Sequence, residues 1–247
     1  MHHSTQFLIL TPAFNCQDKI DRTIRSVAMQ TYENWKMVII DDLSTDETVE
    51  RINVSCLLYG LNVGDKVKII SRTEKYGEVR NTLDICSNLA DDVVVVRLDA
   101  GDWITDMGCL HILDMVYREH NPAVMWTNQR WSWSTYSICG QVDPSISIYE
   151  QPWKSSHMKT FRASELKGLN EKNFKDDEGN WITIACDQAI FLPMMERARR
   201  SGRPLIYLPF LMYHYDINLE NPNLFQEDRS LKQKMSAERI RQRGFIE

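Results

Sequence analysis

The chain alternates short apolar runs with longer segments whose apolar residues recur at helical spacing. Phe7-Leu-Ile-Leu-Thr11 predicts a first strand, stopped by Pro12 and the turn-prone Asn15. Asp18 to Gln30 places Ile20, Ile24, Val27 and Ala28 on one helical face. Trp35 to Ile40 predicts a second strand. Ser44-Thr-Asp-Glu47 then has the S-x-x-E spacing of a capping box, opening a helix with Val49, Ile52 and Cys56 on one side. Val67 to Ile70 is a third strand and Gly77 to Leu89 a third amphipathic helix. Val93 to Leu98, with four valines in a row, is a fourth strand of the kind buried on both faces. Such alternation of strand and helix predicts an α/β fold with a doubly wound, mostly parallel sheet and flanking helices.

The second half is less regular. Met107 to Glu119 predicts a helix, Ala123 to Thr127 a strand, Pro144 to Pro152 a loop, and Leu205 to Leu211 a further strand. Trp126-Thr-Asn-Gln-Arg-Trp-Ser-Trp133 is dense in aromatic and polar groups. It suits either a core-and-edge strand or a surface on which sugar faces stack. Asn173 to Gly179 is a charged loop and a candidate mobile lid. Asp187 ends an apolar run and stands where a helix N-cap is expected. From Asn221 to Glu247 a loop and a charged helix follow.

Composition narrows the class. With 247 residues, 43% of them apolar and 26% charged, one large globular domain is the simplest count. A net charge of −5 argues against a broad nucleic-acid surface, so no nucleic-acid partner is expected. No apolar run approaches the roughly 20 residues of a membrane span. The N-terminus runs straight into the first strand without a secretory h-region. The six cysteines are scattered without metal-finger spacing and read as core residues of a reducing cytoplasm. The expectation is therefore a cytoplasmic protein, peripheral to a membrane at most through what it acts on.

The candidate chemistry lies at the strand ends. Ligands of open α/β sheets bind beyond the carboxyl ends of the strands. Thr11-Pro-Ala-Phe14, Asp41-Asp42 and Asp99-Ala-Gly-Asp102 all fall on that edge. Neither G-x-G-x-x-G nor a P-loop is present, so a glycine cradle for phosphates is excluded. Two carboxylates facing a diphosphate repel it unless a divalent cation lies between. The pattern therefore implies Mg²⁺ or Mn²⁺ with oxygen ligands.

These residues carry a resemblance. Thr11-Pro-Ala-Phe-Asn, Ser26-Val-Ala-Met-Gln-Thr-Tyr-Glu-Asn-Trp and Val38-Ile-Ile-Asp-Asp-Leu-Ser-Thr-Asp-Glu-Thr resemble the N-terminal half of family 2 glycosyltransferases. Gly77-Glu-Val-Arg-Asn81 resembles that family's G-x-x-R-N segment, and Leu98-Asp-Ala-Gly-Asp-Trp its L-D-x-D-D-W metal motif. The resemblance implies the A-type glycosyltransferase fold in one catalytic domain over residues 1–220. Its nucleotide-binding half would cover about 1–105 and its acceptor half about 106–220, with a helical extension over 221–247. It implies that Thr11, Pro12, Ala13 and Phe14 line a base and ribose pocket, with Asp41 on the base, typically uracil. Arg80 would lie near the nucleotide and Asp99 near ribose and metal. Gly101 stands where the family has a second Asp. Asp102 would then take over the metal with Asp99, helped by His214 in Tyr213-His214, which resembles a metal-binding Y-H of some relatives. His157-Met-Lys-Thr-Phe-Arg162 resembles a K-T-F-R segment whose Lys159 and Arg162 could hold a phosphate, although a solvated basic turn fits equally. Asp187, in D-x-A-x-x-x-P-M, matches the general base of an inverting transferase.

The expected activity is metal-dependent transfer from a nucleoside-diphosphate sugar, typically a UDP-sugar, to a glycan or glycolipid acceptor. Two rivals remain. One is a sugar nucleotidyltransferase, disfavoured because Thr11-Pro-Ala-Phe-Asn is not a Gly-rich basic loop. The other is a catalytically silent nucleotide-sugar-binding module, suggested by Gly101.

Overall fold

The computed structural model describes residues 4–132, 134–217 and 227–247, with side chains from residue 230 onward in the last segment. Its strands are β1 (Phe7–Ala13), β2 (Trp35–Asp41), β3 (Val67–Ser71), β4 (Val94–Arg97), β5 (Trp103–Ile104), β6 (Val124–Trp131), β7 (Lys159–Arg162) and β8 (Leu205–Tyr215). They form one sheet in the order β3-β2-β1-β4-β7-β6-β8-β5. β3, β2, β1 and β4 are parallel, and β6 and β8 are parallel to each other. β7 runs antiparallel between β4 and β6, and β5 antiparallel on β8. The helices are α1 (Ile20–Ala28), α2 (Thr48–Leu58), α3 (Gly77–Ser87), α4 (Cys109–His120), α5 (Cys186–Arg200) and α6 (Glu227–Arg243).

Strand side chains alternate between faces, so the apolar runs feed two separate cores. Phe7, Ile9, Met37, Ile39, Val94 and Val96 pack with Ile20, Ile24, Ile52, Leu110 and Leu113 of α1, α2 and α4. Leu8, Leu10, Val38, Ile40 and Val95 pack instead with Val79, Cys86, Ile190, Phe191 and Ile240 of α3, α5 and α6. This is the doubly wound, mostly parallel arrangement that the four-valine run predicted. Arg97 continues the alternation one step beyond Val96, so its buried side chain enters the α3–α5 side.

Four local expectations are corrected. The Ser44–Glu47 capping box does not form. Glu47 occupies the N-cap position without a side-chain cap, and Asp46 accepts from the Thr48 amide instead. Ser44 Oγ is taken by the Asn15 amide, which ties the loop after β1 to the loop after β2. Asp187 is not an N-cap either: that position is Ala185, in the left-handed region at φ 59°, which leaves Asp187 inside the first turn of α5. The 144–152 loop contains a 3₁₀ turn over Ile148–Glu150. Lys159 and Arg162 lie in strand β7 rather than in a solvated turn, and Lys159 is buried.

The expected lid begins as a 3₁₀ turn, Glu171–Phe174, with Asn173 and Phe174 buried. The C-terminal segment pins it: Arg243 donates to the carbonyls of Lys175 and Asn173, and Asn173 donates to that of Ile246. Arg241 likewise donates to the carbonyls of Tyr149 and Gln151 and to Gln188. The helix of the expected C-terminal extension therefore fastens two connecting segments onto α5. Its boundary near residue 220 lies outside the described residues, as does Trp133. No helix among the described residues is long and apolar enough to cross a membrane.

Candidate active site

The carboxyl ends of β1, β2 and β4 form one rim. Ala13 is opposite Asp41 in the β1–β2 register, and the Ala100 amide donates to the Pro12 carbonyl. Thr11, Pro12, Ala13, Asp41 and Asp99 are thereby brought together by parallel pairing. Thr11 and Asp41 are buried, and Thr11 Oγ1 has no hydrogen-bond partner among the described residues. Asp41 Oδ1 accepts from the Ser44 amide. Phe14 projects from the end of β1, exposed, with the Lys75 ammonium 3.1 Å from its ring centroid. Arg80 reaches the same region from α3, stacked 3.5 Å over Tyr76 and 3.5 Å from Glu74. Asp42 holds this side in place: its carboxylate accepts from the amides of Tyr76 and Gly77 and from Asn81, anchoring β2 to the start of α3. An anion at a helix N-terminus is favourable, so Asp42 reads as an anchor.

On the α3–α5 side a chain of charges runs under the rim. Buried Arg97 donates to Glu78 at 2.6 Å and to Thr82 at 2.5 Å, and lies 3.5 Å from Asp99. His157 Nε2 stands between two carboxylates, 4.0 Å from Asp99 and 3.9 Å from Asp187. Its ring stacks on Tyr213, with centroids 4.7 Å apart, and leans on Tyr215. Lys159, 1% exposed, closes the chain with its ammonium 2.5 Å from Asp187 Oδ1. Among the described residues that ammonium has no well-angled hydrogen bond, and the Phe191 and Trp153 rings lie 5.0 and 5.8 Å from it.

Each titration follows from its surroundings. Burial of Asp187 favours the neutral acid, but Lys159 and His157 outweigh it and hold the carboxyl well below the usual range. A third of that side chain stays open to solvent, so its dehydration is partial. Burial, and then the Lys159 charge, push His157 down to about 4, so it is neutral at pH 7. Glu78 is pushed up to about 7 by burial, against the pull of Arg97.

The metal set expected from the sequence does not close. Asp102 accepts from the Tyr213 hydroxyl at 2.6 Å and from the Asp216 amide at 2.8 Å, which engages both of its oxygens. Burial and the neighbouring Asp99 charge raise its pKa well above the usual value. His214 stacks on Trp103 with centroids 3.6 Å apart, and burial together with the nearby Arg130 charge lowers its pKa. A divalent ion beside it would face Arg130 and Arg22. At Gly101, φ is +102° and the Lys19 stem lies 3.2 Å from where a Cβ would stand. That backbone suits glycine, and the space belongs to Lys19. No cluster of three His, Cys, Asp or Glu donors exists among the described residues. The Asp99–Asp102–His214 set therefore does not fit a metal, and no chemical step is derived through one.

Sequence reasoning missed Glu78, Arg97, His157 and Asp216. Arg97 carried a signal, since an arginine ending a run of valines must find partners in the core. His157 and Asp216 carried none.

A sheet of this order, with an acidic ligand rim at its carboxyl edge and no glycine cradle, defines the A-type glycosyltransferase fold. Solved structures share it. S. aureus TarS in complex with UDP-GlcNAc matches with a TM-score of 0.59 and 18% identity, over 87% of this chain and 59% of that one. A mannosyltransferase from Pyrobaculum calidifontis in complex with GDP-Man and Mn²⁺ matches with a TM-score of 0.63 and 11% identity, over 95% and 63%. The profile described as Glycosyl transferase family 2 matches residues 8–179, more than half of the sequence, and the chain belongs to that family. Among curated relatives, chondroitin synthase of Pasteurella multocida is 28% identical over 79% of this chain but only 19% of its own length. The putative glycosyltransferase EpsE of Bacillus subtilis is 28% identical over 41% of this chain and 35% of its own. An Escherichia coli protein, UDP-Glc:alpha-D-GlcNAc-diphosphoundecaprenol beta-1,3-glucosyltransferase WfgD, is 27% identical over 74% of this chain and 70% of its own. The chain thus spans about a third of EpsE and a fifth of the synthase.

Proposed function

We propose that the protein transfers a sugar from a nucleoside-diphosphate sugar, typically a UDP-sugar, to a hydroxyl of a glycan or glycolipid acceptor, with inversion at the anomeric carbon. The observation that carries this reading is the placement of Asp187. It is an ionised carboxylate in the first turn of α5, one third open, facing Asp99 across the neutral His157 ring. Asp41 and the Thr11–Phe14 segment take the base and ribose, and Arg80 and Lys75 stand over the nucleotide side. Asp187 takes the proton of the attacking hydroxyl as the new bond to the anomeric carbon forms and the bond to the diphosphate oxygen breaks. Paired with Lys159 it is a weak base, so it accepts the proton late, once the hydroxyl has become acidic by attacking. Asp99 and Arg97 hold the donor end of the same network. Relatives named for UDP-Glc and a diphosphoundecaprenol-linked sugar support this choice of donor and acceptor class. Among the described residues no three donors gather for the divalent ion expected from the sequence, and no step runs through it.

The test is release of nucleoside diphosphate from a panel of sugar nucleotides by wild type and Asp187→Asn, with and without a lipid-linked sugar acceptor. Acceptor-stimulated UDP release from one donor, lost by at least about a hundredfold in Asp187→Asn, is expected. Nucleotide binding without turnover would favour the silent module, a reading the Lys159–Asp187 pairing also fits. Pyrophosphate release would favour the nucleotidyltransferase. Absence of any nucleotide binding sinks the proposal.

A further inference from the structure

On the opposite side of the rim from Asp187, a groove of about 460 Å³ runs between α1 and the segment from Trp103 to Met107. Arg22, Arg25, Ser26 and Met29 line it from α1. They sit at i, i+3, i+4 and i+7, one stripe of a helix and about 10 Å of groove length. Its two ends differ in chemistry. At the upper end Lys19 and Arg22 lie 3.4 and 3.2 Å from the carboxylate of Asp216, whose amide ties the place to Asp102. Arg22 leans on the Trp103 ring, Trp103 stacks on His214, and His214 pairs in register with Arg130. Lys19 and Arg22 thus share one half-buried acid, Arg25 lies one turn further along α1, and Arg130 stands behind the Trp103 and His214 rings. Behind the Trp103 ring, His214 Nε2 and Arg130 Nε are buried and have no hydrogen-bond partner among the described residues. At the lower end the lining turns apolar: Met29 and Met107 are about half exposed over a floor of Ile104. Asp106 is there too, but its carboxylate accepts from the Gly108 amide.

A surplus of positive charge suits an anion, and exposed methionines are an adaptable apolar lining. One ligand needs both within about 10 Å: a diphosphate ester of a long apolar alcohol. Resting on the glycolipid-acceptor reading above, we propose that this groove holds the lipid-diphosphate part of the acceptor. The diphosphate lies at the Lys19, Arg22 and Arg25 end, and the first isoprenoid-like carbons lie along Met29 and Met107. The cations that make the place unfit for a metal make it fit for this anion.

The test is binding of farnesyl diphosphate to the full chain by calorimetry, against inorganic pyrophosphate, farnesol and UDP. The variants are Arg25→Glu and Met29→Asp, both exposed and outside every hydrogen bond described above. Farnesyl diphosphate is expected to bind at least about tenfold more tightly than pyrophosphate or farnesol alone. Each variant is expected to weaken it by about tenfold or more while leaving UDP binding and melting temperature unchanged. Equal affinity for pyrophosphate and farnesyl diphosphate overturns the lipid assignment. Displacement of farnesyl diphosphate by UDP assigns the cations to the donor and overturns it as well, as do variants that bind like wild type. Failure of the transferase reading shows elsewhere, as the absence of UDP binding and of sugar-nucleotide turnover.

Discussion

Replacing Lys159 by methionine keeps an unbranched apolar stem of similar length and removes one charge from the 2.5 Å pair with Asp187. Removing one partner of a fully buried ion pair typically costs about 3–5 kcal/mol, because the other charge is left uncompensated. Asp187 keeps a third of its side chain open and His157 beside it, so water recovers part of that loss. The expected cost is about 2–3 kcal/mol, equivalent to a fall of roughly 4–12 °C in Tm for a chain of this size. The assay is urea denaturation of wild type, Lys159→Met, Asp187→Asn and the double variant. If the cost is the stranded carboxylate, Lys159→Met/Asp187→Asn is more stable than Lys159→Met, with a coupling of at least about 1 kcal/mol. Where activity is measurable, the acid limb of the Lys159→Met pH profile should move up by about 1–3 pH units, since an adjacent cation lowers a carboxyl pKa by that much. Additive costs in the denaturation cycle, together with an unmoved acid limb, would refute the claim that Lys159 sets the charge state of Asp187.

Three further outcomes follow from the same geometry. Glu78, pushed up to about 7 in the fold from an ordinary value near 4.5, binds more protons folded than unfolded between those limits. Its contribution to stability is full below about 4.5 and is lost as pH rises through 7, so the stability of wild type relative to Glu78→Gln should fall by about 1–3 kcal/mol over that window; a pH-independent difference would contradict the assignment. Gly101→Asp, which restores the family's acid, should lower stability by about 1–3 kcal/mol, because φ is +102° and the Lys19 stem, 3.2 Å from the Cβ position, must shift; a neutral or stabilised variant, measured by thermal melting, would count against that strain. Finally, Mn²⁺ or EDTA added without nucleotide should leave Tm unchanged, since no three-donor site exists among the described residues; a metal-induced rise of several degrees would show a preformed site.

The strand–helix alternation and the placement of Thr11–Phe14, Asp41 and Asp99 on one edge were legible because both depend on local periodicity and on the parallel direction of the strands. Near-continuous apolar runs such as Val93–Leu98 dictate two-sided burial, and parallel winding sends the ends of β1, β2 and β4 to the same rim. The first turn of α5 around Asp187 was legible in position but not in detail. Whether a residue is a cap or lies inside the turn depends on the φ of its neighbour, here Ala185 in the left-handed region. What only the tertiary structure decided are the charge partnerships. Lys159 meets Asp187 because β7 inserts antiparallel between β4 and β6. His157 reaches both Asp99 and Asp187 from the approach to the same strand. The three expected metal ligands find other partners for the same reason. The sequence presents Asp99, Asp102 and His214 as three donors, but strand pairing spends Asp102 on Tyr213 and Asp216 and sets His214 among arginines. Spacing along the chain determines which edge a residue reaches, and the partners it meets there come from segments up to about a hundred residues away.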